Sequence, residues 1–500
     1  MLDQPERESM DYDVVIVGGG PAGLSAAIRL KQVNPELSVV LLEKGSEIGA
    51  HILSGAVLDT SGLDRLIPDW KDRGAPVTTE VTSDNFYILG PQGQMRVPNW
   101  PMPPLMSNHG KYIVSMGNVC RWLAEQAEAL EVEIFPGMAC SQLVYEGDRV
   151  VGVVAGEMGL NADGTPGPGY EPGMELRGKY VLIAEGVRGG LAKELIGKYD
   201  LSKGHEPQKF GLGMKEIWEI DPAKARPGTV THTMGWPLGK NAGGGSFIYH
   251  LEDNQVLVGF VVHLNYKNPY LYPYMEFQRF KHHPLVADLL EGGKRVAYGA
   301  RAISEGGWQS IPKLTVPGAM LLGCSAGLVN VPRIKGNHNA MLSGIAAAEA
   351  AAAAIAAGRA GDELTGYEAE VRQGAIGKDL RPVRNVKPIW SKLGLWLSLA
   401  LGGFRHVGGE SDRLEPAGDV ETRQDGRRGN RQGRRFQAHR LPEARRQAQL
   451  RPPHQRGVFL YQPRGKPALP PEAEGPRDPD RGEPAALCRA GAALLPGRGL

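Results

Sequence analysis

The hydrophobic pattern begins with a run of β-branched residues, Tyr12 to Val17, which reads as a parallel strand buried on both faces. Glycines at 18, 20 and 23 follow, and then apolar residues at helical spacing from Leu24 to Lys31. A second apolar run, Ser38 to Leu42, predicts the next parallel strand and ends in Glu43. Residues 77 to 98 alternate and predict strands. Val119 to Leu130 carries Trp122, Leu123, Ala127 and Leu130 on one helical face and leads into a further parallel strand at 132–135. Leu143 to Ala155 reads as a hairpin turning at Gly147-Asp148, and Val181 to Gly186 repeats the strand-then-glycine logic of the first strand. Residues 205 to 300, rich in β-branched and aromatic residues, predict an antiparallel sheet laid over the first domain. The stretches 296–309 and 320–327 are expected to return to that first domain. A last helix opens near Gly336 and runs through the alanine-rich stretch to Ala357.

The opening unit carries recognisable chemistry. In a Gly-x-Gly-x-x-Gly turn, Gly18 permits the tight turn, Gly20 lets the backbone approach a pyrophosphate, and Gly23 packs helix on strand. The helix N-terminus offers unpaired N–H groups to the same phosphates. Glu43 falls where an acid accepts ribose hydroxyls. The motif's place near the N-terminus, and Glu43-Lys44-Gly45 at the strand end, suit FAD better than NAD. The small-residue segment Gly49 to Val57 is either a flavin-side strand of chain or an ordinary loop. The helix at 336–357 either directs its N-terminal dipole at a flavin edge or is an alanine-rich core helix.

Composition changes this picture little over most of the chain. A formal net charge of +2 gives no reason to invoke nucleic acid. Four widely spaced cysteines without a C-x-x-C pair indicate neither a disulfide framework nor a zinc site, and reduced thiols in a cytosolic protein are expected. The first ten residues are polar, without an apolar leader. No apolar run is expected to reach the roughly 18 residues of a membrane span, which leaves a soluble or membrane-surface protein. Two apolar stretches bear on that choice. Pro98 to Met106 is proline-punctuated, and is either a covered loop or an exposed lip that contacts lipid or a partner. Ile389 to Phe404, with two tryptophans, suits either a membrane interface or a buried helix.

With these pieces placed, residues 12 to 404 resemble the electron transfer flavoprotein–ubiquinone oxidoreductase family. The resemblance rests on Leu42 to Gly45, Ser54 to Val57, Ser107 to Gly110, Ala184 to Gly186 and His232 to Leu238. It continues through Gly244 to His250, Lys281 to Pro284, Glu291 to Arg295, Gly323 to Gly327 and Gly336 to His338. It implies an α/β fold: a Rossmann-like FAD-binding domain of the glutathione-reductase kind, with an inserted α+β quinone-binding domain. The expected partition gives 10–80, 111–195 and 295–365 to FAD, 81–110 and 196–294 to the quinone, and 366–404 to a membrane-surface segment. Cofactor-binding residues are expected at Gly18, Gly20, Gly23, Glu43, Lys44, Gly49, Ser54, Gly55, Ala139, Glu185, Gly186, Gly323, Gly327, Gly336, Asn337 and His338. Gly244 and Gly245 match the backbone that holds a quinone carbonyl in the family. No catalytic acid or base and no metal ligand is identified. The implied activity is transfer of electrons from reduced electron transfer flavoprotein to ubiquinone, peripherally on the cytoplasmic face of a bacterial inner membrane. The alternatives are a geranylgeranyl-reductase-like FAD enzyme and an inactive membrane-surface flavoprotein. Two local departures stand out: Gly243, where the family usually has an aromatic residue, and asparagines rather than threonines around His338.

The tail departs entirely. The family's [4Fe–4S] cluster is held by four C-terminal cysteines, whereas residues 405–500 contain only Cys488, so the cluster's ligand set is absent. That tail carries eighteen Arg and one Lys with abundant Pro, Gly and Ala, and is expected to be disordered. Its codons have synonymous choices that, read one base on, turn the last fourteen residues, LCRAGAALLPGRGL, into YAEPAQRYCPAGVY, the family's first-cysteine motif. In the same way YQPRGK at 461–466 becomes TNHEEN, and RDPDRGEP at 477–484 becomes EIPIAVNL. Three ordered family motifs in one alternative frame point to a frameshift between about Phe404 and Gln432.

Overall fold

The computed structural model describes residues 6–52, 55–100, 104–239 and 242–386. The expectations for Ser54, for the middle of the proline lip, for the 389–404 segment and for the tail therefore lie outside the described residues.

The first β-branched run forms β1 (Ser9–Val17), central in an eight-stranded sheet. It pairs in parallel with β2 (Val39–Glu43) on one side and β13 (Met174–Ile183) on the other. Beyond β2 lies β8 (Glu133–Pro136), and beyond β13 lie β20 (Ala319–Leu321) and the short β19 (Thr315–Val316). The expected hairpin is β9 (Cys140–Glu146) with β10 (Arg149–Ala155), which adds to β13. A side ribbon, β11 (Met158–Leu160) with β12 (Pro166–Glu171), leads into β13. Val14, Val15 and Ile16 are fully buried, as continuous apolar runs in covered parallel strands should be.

Helix α1 (Pro21–Val33) packs between this sheet and the long α7 (Asn337–Ala356). Small residues let the two helices touch: a Cβ on Gly344 would lie 2.1 Å from the Ala22 carbonyl oxygen. By length and composition α7 could pass for a membrane span, contrary to the expectation that no run is long enough, but most of it is buried in the core. Helix α3 (Met116–Glu128) starts at Ser115, whose Oγ accepts the Asn118 N–H, and buries the expected Trp122–Leu123 face. Short helices α2 (Ser61–Leu66), α4 (Gly190–Lys198), α8 (Thr365–Gln373) and α9 (Ala375–Leu380) complete this layer.

The second sheet has seven strands in the order β18 (Lys294–Ser304), β14 (Phe210–Glu219), β17 (Gln255–His263), β16 (Gly244–His250), β15 (Thr229–Gly235), β5 (Ser83–Leu89) and β6 (Gln94–Val97). It is antiparallel except where β15 runs parallel to β5. Helices α5 (Pro273–Lys281) and α6 (Pro284–Leu290) cover one face, where Phe260, Phe277 and Phe280 are buried and each contributes about 1.5–3 kcal/mol of transfer free energy. Glu216 and Lys281, both buried, join α5 to β14, with Nζ 2.9 and 3.0 Å from the two carboxylate oxygens. The other face meets Val57, Val81 and Ile113, around a small sheet of β3 (Ala56–Leu58), β4 (Thr79–Glu80) and β7 (Tyr112–Val114).

Two boundaries differ from expectation. Residues 366–380, expected in a membrane-surface segment, form α8 and α9 and bury Tyr367, Val371, Ile376 and Leu380 in the first-domain core, because their apolar side chains recur at helical spacing. Residues 295–304, expected back in the first domain, form with Lys294 the edge strand β18 of the second sheet, paired with β14 from Lys294 to Ser304 around one irregularity at Val296. Small residues interleaved with larger ones along 296–304 fit an edge strand as well as a crossover, and the sequence pattern alone does not separate them.

Candidate functional site

The carboxyl ends of the parallel strands converge on one edge. Chain order reverses between β1 and β13, the switch point where open α/β sheets bind ligands. Gly18 to Gly23 follows β1, Glu43 and Lys44 end β2, Ala139 follows β8, Glu185 and Gly186 follow β13, and Gly323 to Gly327 follows β20. The topology therefore gathers the expected cofactor-binding residues of the first domain.

The glycine turn is built as expected. A Cβ at Gly18 (φ +113°) would lie 2.4 Å from the Ala184 carbonyl oxygen, so only glycine lets β1 and β13 meet there. One at Gly23 would lie 2.0 Å from the Gly18 carbonyl oxygen, whereas one at Gly20 would meet open space. Helix α1 has no side-chain cap and no acidic residue in its first turn, so its N–H groups and partial charge remain available to an anion. Glu43 is drawn onto the turn: its carboxylate accepts the Gly19 N–H at 2.9 Å and the Gly45 N–H at 2.7 Å. These features fit the diphosphate and ribose of FAD.

The remaining expected residues divide by role. Lys44 and Ala139 are exposed, and the Ala139 carbonyl accepts the Gly156 N–H. The Glu185 carboxylate accepts the Ala192 N–H at 2.8 Å and so caps α4. The Gly186 carbonyl accepts the Ser325 hydroxyl at 3.0 Å, and the Gly323 N–H donates to Ser343 Oγ at 3.0 Å, which tie the loop after β20 to the loop after β13 and to α7. Gly327 has a left-handed φ of +79° and approaches Gln208. Gly49 seats its segment on the start of α3, and Gly55 (φ +97°) leaves room for Leu257 of the second sheet.

At the start of α7, Gly336 is the N-cap and Asn337 the first helical residue. His338 Nε2 lies 3.2 Å from Asp379 Oδ2, and Asn339 Nδ2 donates to the same oxygen at 2.9 Å. Asn330 Nδ2 donates at 3.0 Å, and Arg333 joins Asp379 to Asp59, with its Nη2 2.6 Å from Asp59 Oδ2. Burial alone would raise the Asp379 pKa, but the hydrogen bonds from His338, Asn330 and Asn339 hold it well below the usual carboxylate range. His338 Nδ1 and Asn339 Oδ1 are buried without a protein partner, which fits the polar edge of a bound ring system. Asp59, Arg333 and Asp379 escaped sequence reasoning. They lie on three separate segments, and no local pattern links them.

On the second sheet, Gly244 and Gly245 begin β16. A Cβ on Gly244 (φ +145°) would lie 2.0 Å from the Val261 carbonyl oxygen, and one on Gly245 2.6 Å from that of Thr233. Both glycines are thus demanded by strand packing, whatever else they hold. A Cβ on Gly243 would sit 2.6 Å from His263 Nδ1, so His263 occupies the space an aromatic residue at 243 would need. Nearby, the His232 ring meets the Tyr249 hydroxyl at 2.8 Å, and burial together with Lys335 pushes His232 down to about 3. Asn108 donates to Asp84 and accepts from Lys335, which joins the lip segment to the loop before α7. Burial, with the charges of Lys111 and Arg333, lowers Lys335 to about 7. Trp100, on the lip, is 85% exposed.

Residues 210–303 match the family model described as ETF-QO, ubiquinone-binding, and residues 16–70 match that of an NAD(P)-binding Rossmann-like domain. The first span includes β18, in line with the strand pairing. The electron transfer flavoprotein-ubiquinone oxidoreductase of Pseudomonas aeruginosa is 53% identical over 406 residues, 80% of this chain and 73% of that protein. The mitochondrial protein of that name from Rattus norvegicus is 48% identical over 440 residues, 83% of this chain and 71% of that one. Among solved structures, a geranylgeranyl bacteriochlorophyll reductase-like protein from Thermoplasma acidophilum superposes with a TM-score of 0.55 at 19% identity, covering 73% of this chain and 84% of that one. The p-nitrophenol 4-monooxygenase PnpA from Pseudomonas putida gives 0.54 at 18% identity, covering 81% and 95%. These two share the fold, so the resemblance to the isoprenoid reductase goes no further than architecture. The Rossmann-like edge, the sheet above it and the extent of the sequence match agree, and the chain belongs to the electron transfer flavoprotein–ubiquinone oxidoreductase family.

Proposed function

We propose that this chain accepts electrons from reduced electron transfer flavoprotein and passes them to ubiquinone through FAD. The observation that carries the reading is the junction itself: a dinucleotide-binding edge lies beneath a sheet that matches a ubiquinone-binding module. When bound, FAD supplies the passage between one-electron and two-electron chemistry. The protein's part is to hold the diphosphate at Gly18–Gly23, the ribose at Glu43 and the ring edge at the α7 N-terminus, while Gly244 and Gly245 offer backbone to the quinone. The proline lip and the 389–404 segment supply an apolar surface that rests on the cytoplasmic face of the inner membrane, where the quinone enters. Purified protein should carry one FAD per chain, be bleached by reduced electron transfer flavoprotein and be reoxidised by a short-chain ubiquinone. Failure to retain FAD, or bleaching that ubiquinone does not reverse, overturns the reading.

The family's [4Fe–4S] cluster has no ligand set in this chain. Among the described residues no group of His, Cys, Asp and Glu could hold a metal ion, and residues 405–500 carry a single cysteine. We read the tail as the cluster domain translated in the wrong frame. The nucleotide sequence between the codons for Phe404 and Gln432 tests this, and an intact frame there refutes it.

A further inference from the structure

Among the described residues, a lysine at the junction of the two domains contacts no counter-ion. Lys215, on β14, is half-buried, and its Nζ donates to the Gly55 carbonyl oxygen at 2.9 Å. Its ammonium also lies 5.6 Å from the centroid of the Phe247 ring. No carboxylate contacts it among the described residues, and burial alone lowers its pKa to about 8.

The two flanking strands set glycines beside it. In register, Lys215 stands between Gly259 of β17 and Gly299 of β18, so neither neighbouring strand puts a side chain next to it. The Phe247 ring lies over Gly259, where a Cβ would be 2.0 Å from its Cζ. This is the face turned to the first domain, lined by Val57, Ile217, Phe247 and Leu257. On the same face Arg301 Nε donates to the His51 carbonyl oxygen at 2.7 Å. Two cations thus hold the ends of the 51–55 segment through neutral carbonyls, and neither charge is cancelled by its partner. A tether needs only a donor. The positive charge adds a desolvation cost that a neutral amide would avoid, and an anion facing it would offset that cost.

Resting on the FAD reading above, we propose that Lys215 is a fixed positive charge facing the flavin, which stabilises the negative charge that reduction places on the ring. Two electrons with one proton leave the ring one negative charge. No bond forms to Lys215, and its ammonium keeps its protons. By the same field the lysine raises the flavin's reduction potential.

The test is the FAD midpoint potential of the full-length chain at pH 7, measured by dye-equilibrated reductive titration without quinone or partner flavoprotein. Lys215→Gln keeps a donor for Gly55 and removes the charge. It should retain FAD while its reduction equilibrium falls about tenfold, roughly 30 mV for a two-electron couple. Lys215→Arg should stay close to wild type. Lys215→Met, lacking donor and charge, should match the Gln variant in potential and lose unfolding stability besides. A Gln variant with the wild-type potential overturns the proposal and leaves Lys215 a tether. A wild-type chain that takes up no FAD refutes the FAD reading, and the proposal falls with it.

Discussion

Replacing Asp379 by Asn changes the α7 terminus while leaving its shape almost intact. The carboxylate, 14% exposed, accepts from Asn330, Arg333, His338 and Asn339. An amide in its place presents an NH2 group to a set made up of donors, so about two of the four contacts become unfavourable. Bonds to a charged acceptor contribute about 1.5–3 kcal/mol each, and Arg333 keeps Asp59 as a partner, so the net loss should be about 2–4 kcal/mol. His338 and Asn339, freed from their anchor, should also weaken FAD retention about tenfold, by analogy with other supporting hydrogen bonds. Urea unfolding followed by tryptophan fluorescence, with FAD content measured alongside, reads both effects. The pH dependence gives a second check. The Asp379 pKa is depressed in the folded state, so its stabilisation is fully present above the unfolded value of about 3.9 and is lost as pH falls through the folded value. The gap between variant and wild type should therefore be constant from pH 6 to 8 and shrink on acidification below about pH 4. A gap under about 0.5 kcal/mol at pH 7, within the range of ordinary surface substitutions, would refute the reasoning.

Three further outcomes follow from the same geometry. Gly23→Ala should abolish FAD retention, checked by the flavin absorbance of the purified protein, because its Cβ would sit 2.0 Å from the Gly18 carbonyl oxygen; Gly20→Ala, facing open space, should fold normally and lose only part of the affinity. Lys281→Met should cost about 2–4 kcal/mol in chemical denaturation, since it strands the buried Glu216 with Arg295, 3.3 Å away, as its remaining cation; adding Glu216→Gln should recover part of that loss. The folded-state pKa of Lys335 lies near 7, below its unfolded value of about 10.4, so unfolding takes up a proton between them. Unfolding free energy should rise with pH from 7 to about 10, and Lys335→Met should flatten that rise.

Much of the first domain was legible because its signals are local. A β-branched run, three glycines at fixed spacing and an acid at the next strand end each dictate their own backbone, and the structure places Gly18, Gly23 and Glu43 accordingly. The Trp122–Leu123 stripe likewise marks α3 in sequence, although its start at the Ser115 cap was not read. What stayed hidden depends on contacts between distant segments. Glu185 follows a strand as a cofactor ligand would, yet its carboxylate caps α4, seven residues on. Gly244 and Gly245 read as a binding backbone, but the strands beside them already forbid a side chain. Asp379 carries no motif, and only the fold of α9 onto α7 brings it to His338.

The pairing of β5 with β15, Ser83 opposite Thr229, also sets an order of events during synthesis. A nascent chain that has just emitted β5 can pair one edge with β6 at once, but the other must stay open while all of α3, β13 and α4 leave the ribosome. Its exposed edge is then open to wrong partners, and long-range pairing of this kind is slow. Neither half can mature first, because β1 likewise waits for β13, and β13 in turn for β20. Attempts to express the quinone-side sheet by itself should therefore yield aggregate, since an excised 196–294 fragment lacks both β5 and its edge strand β18.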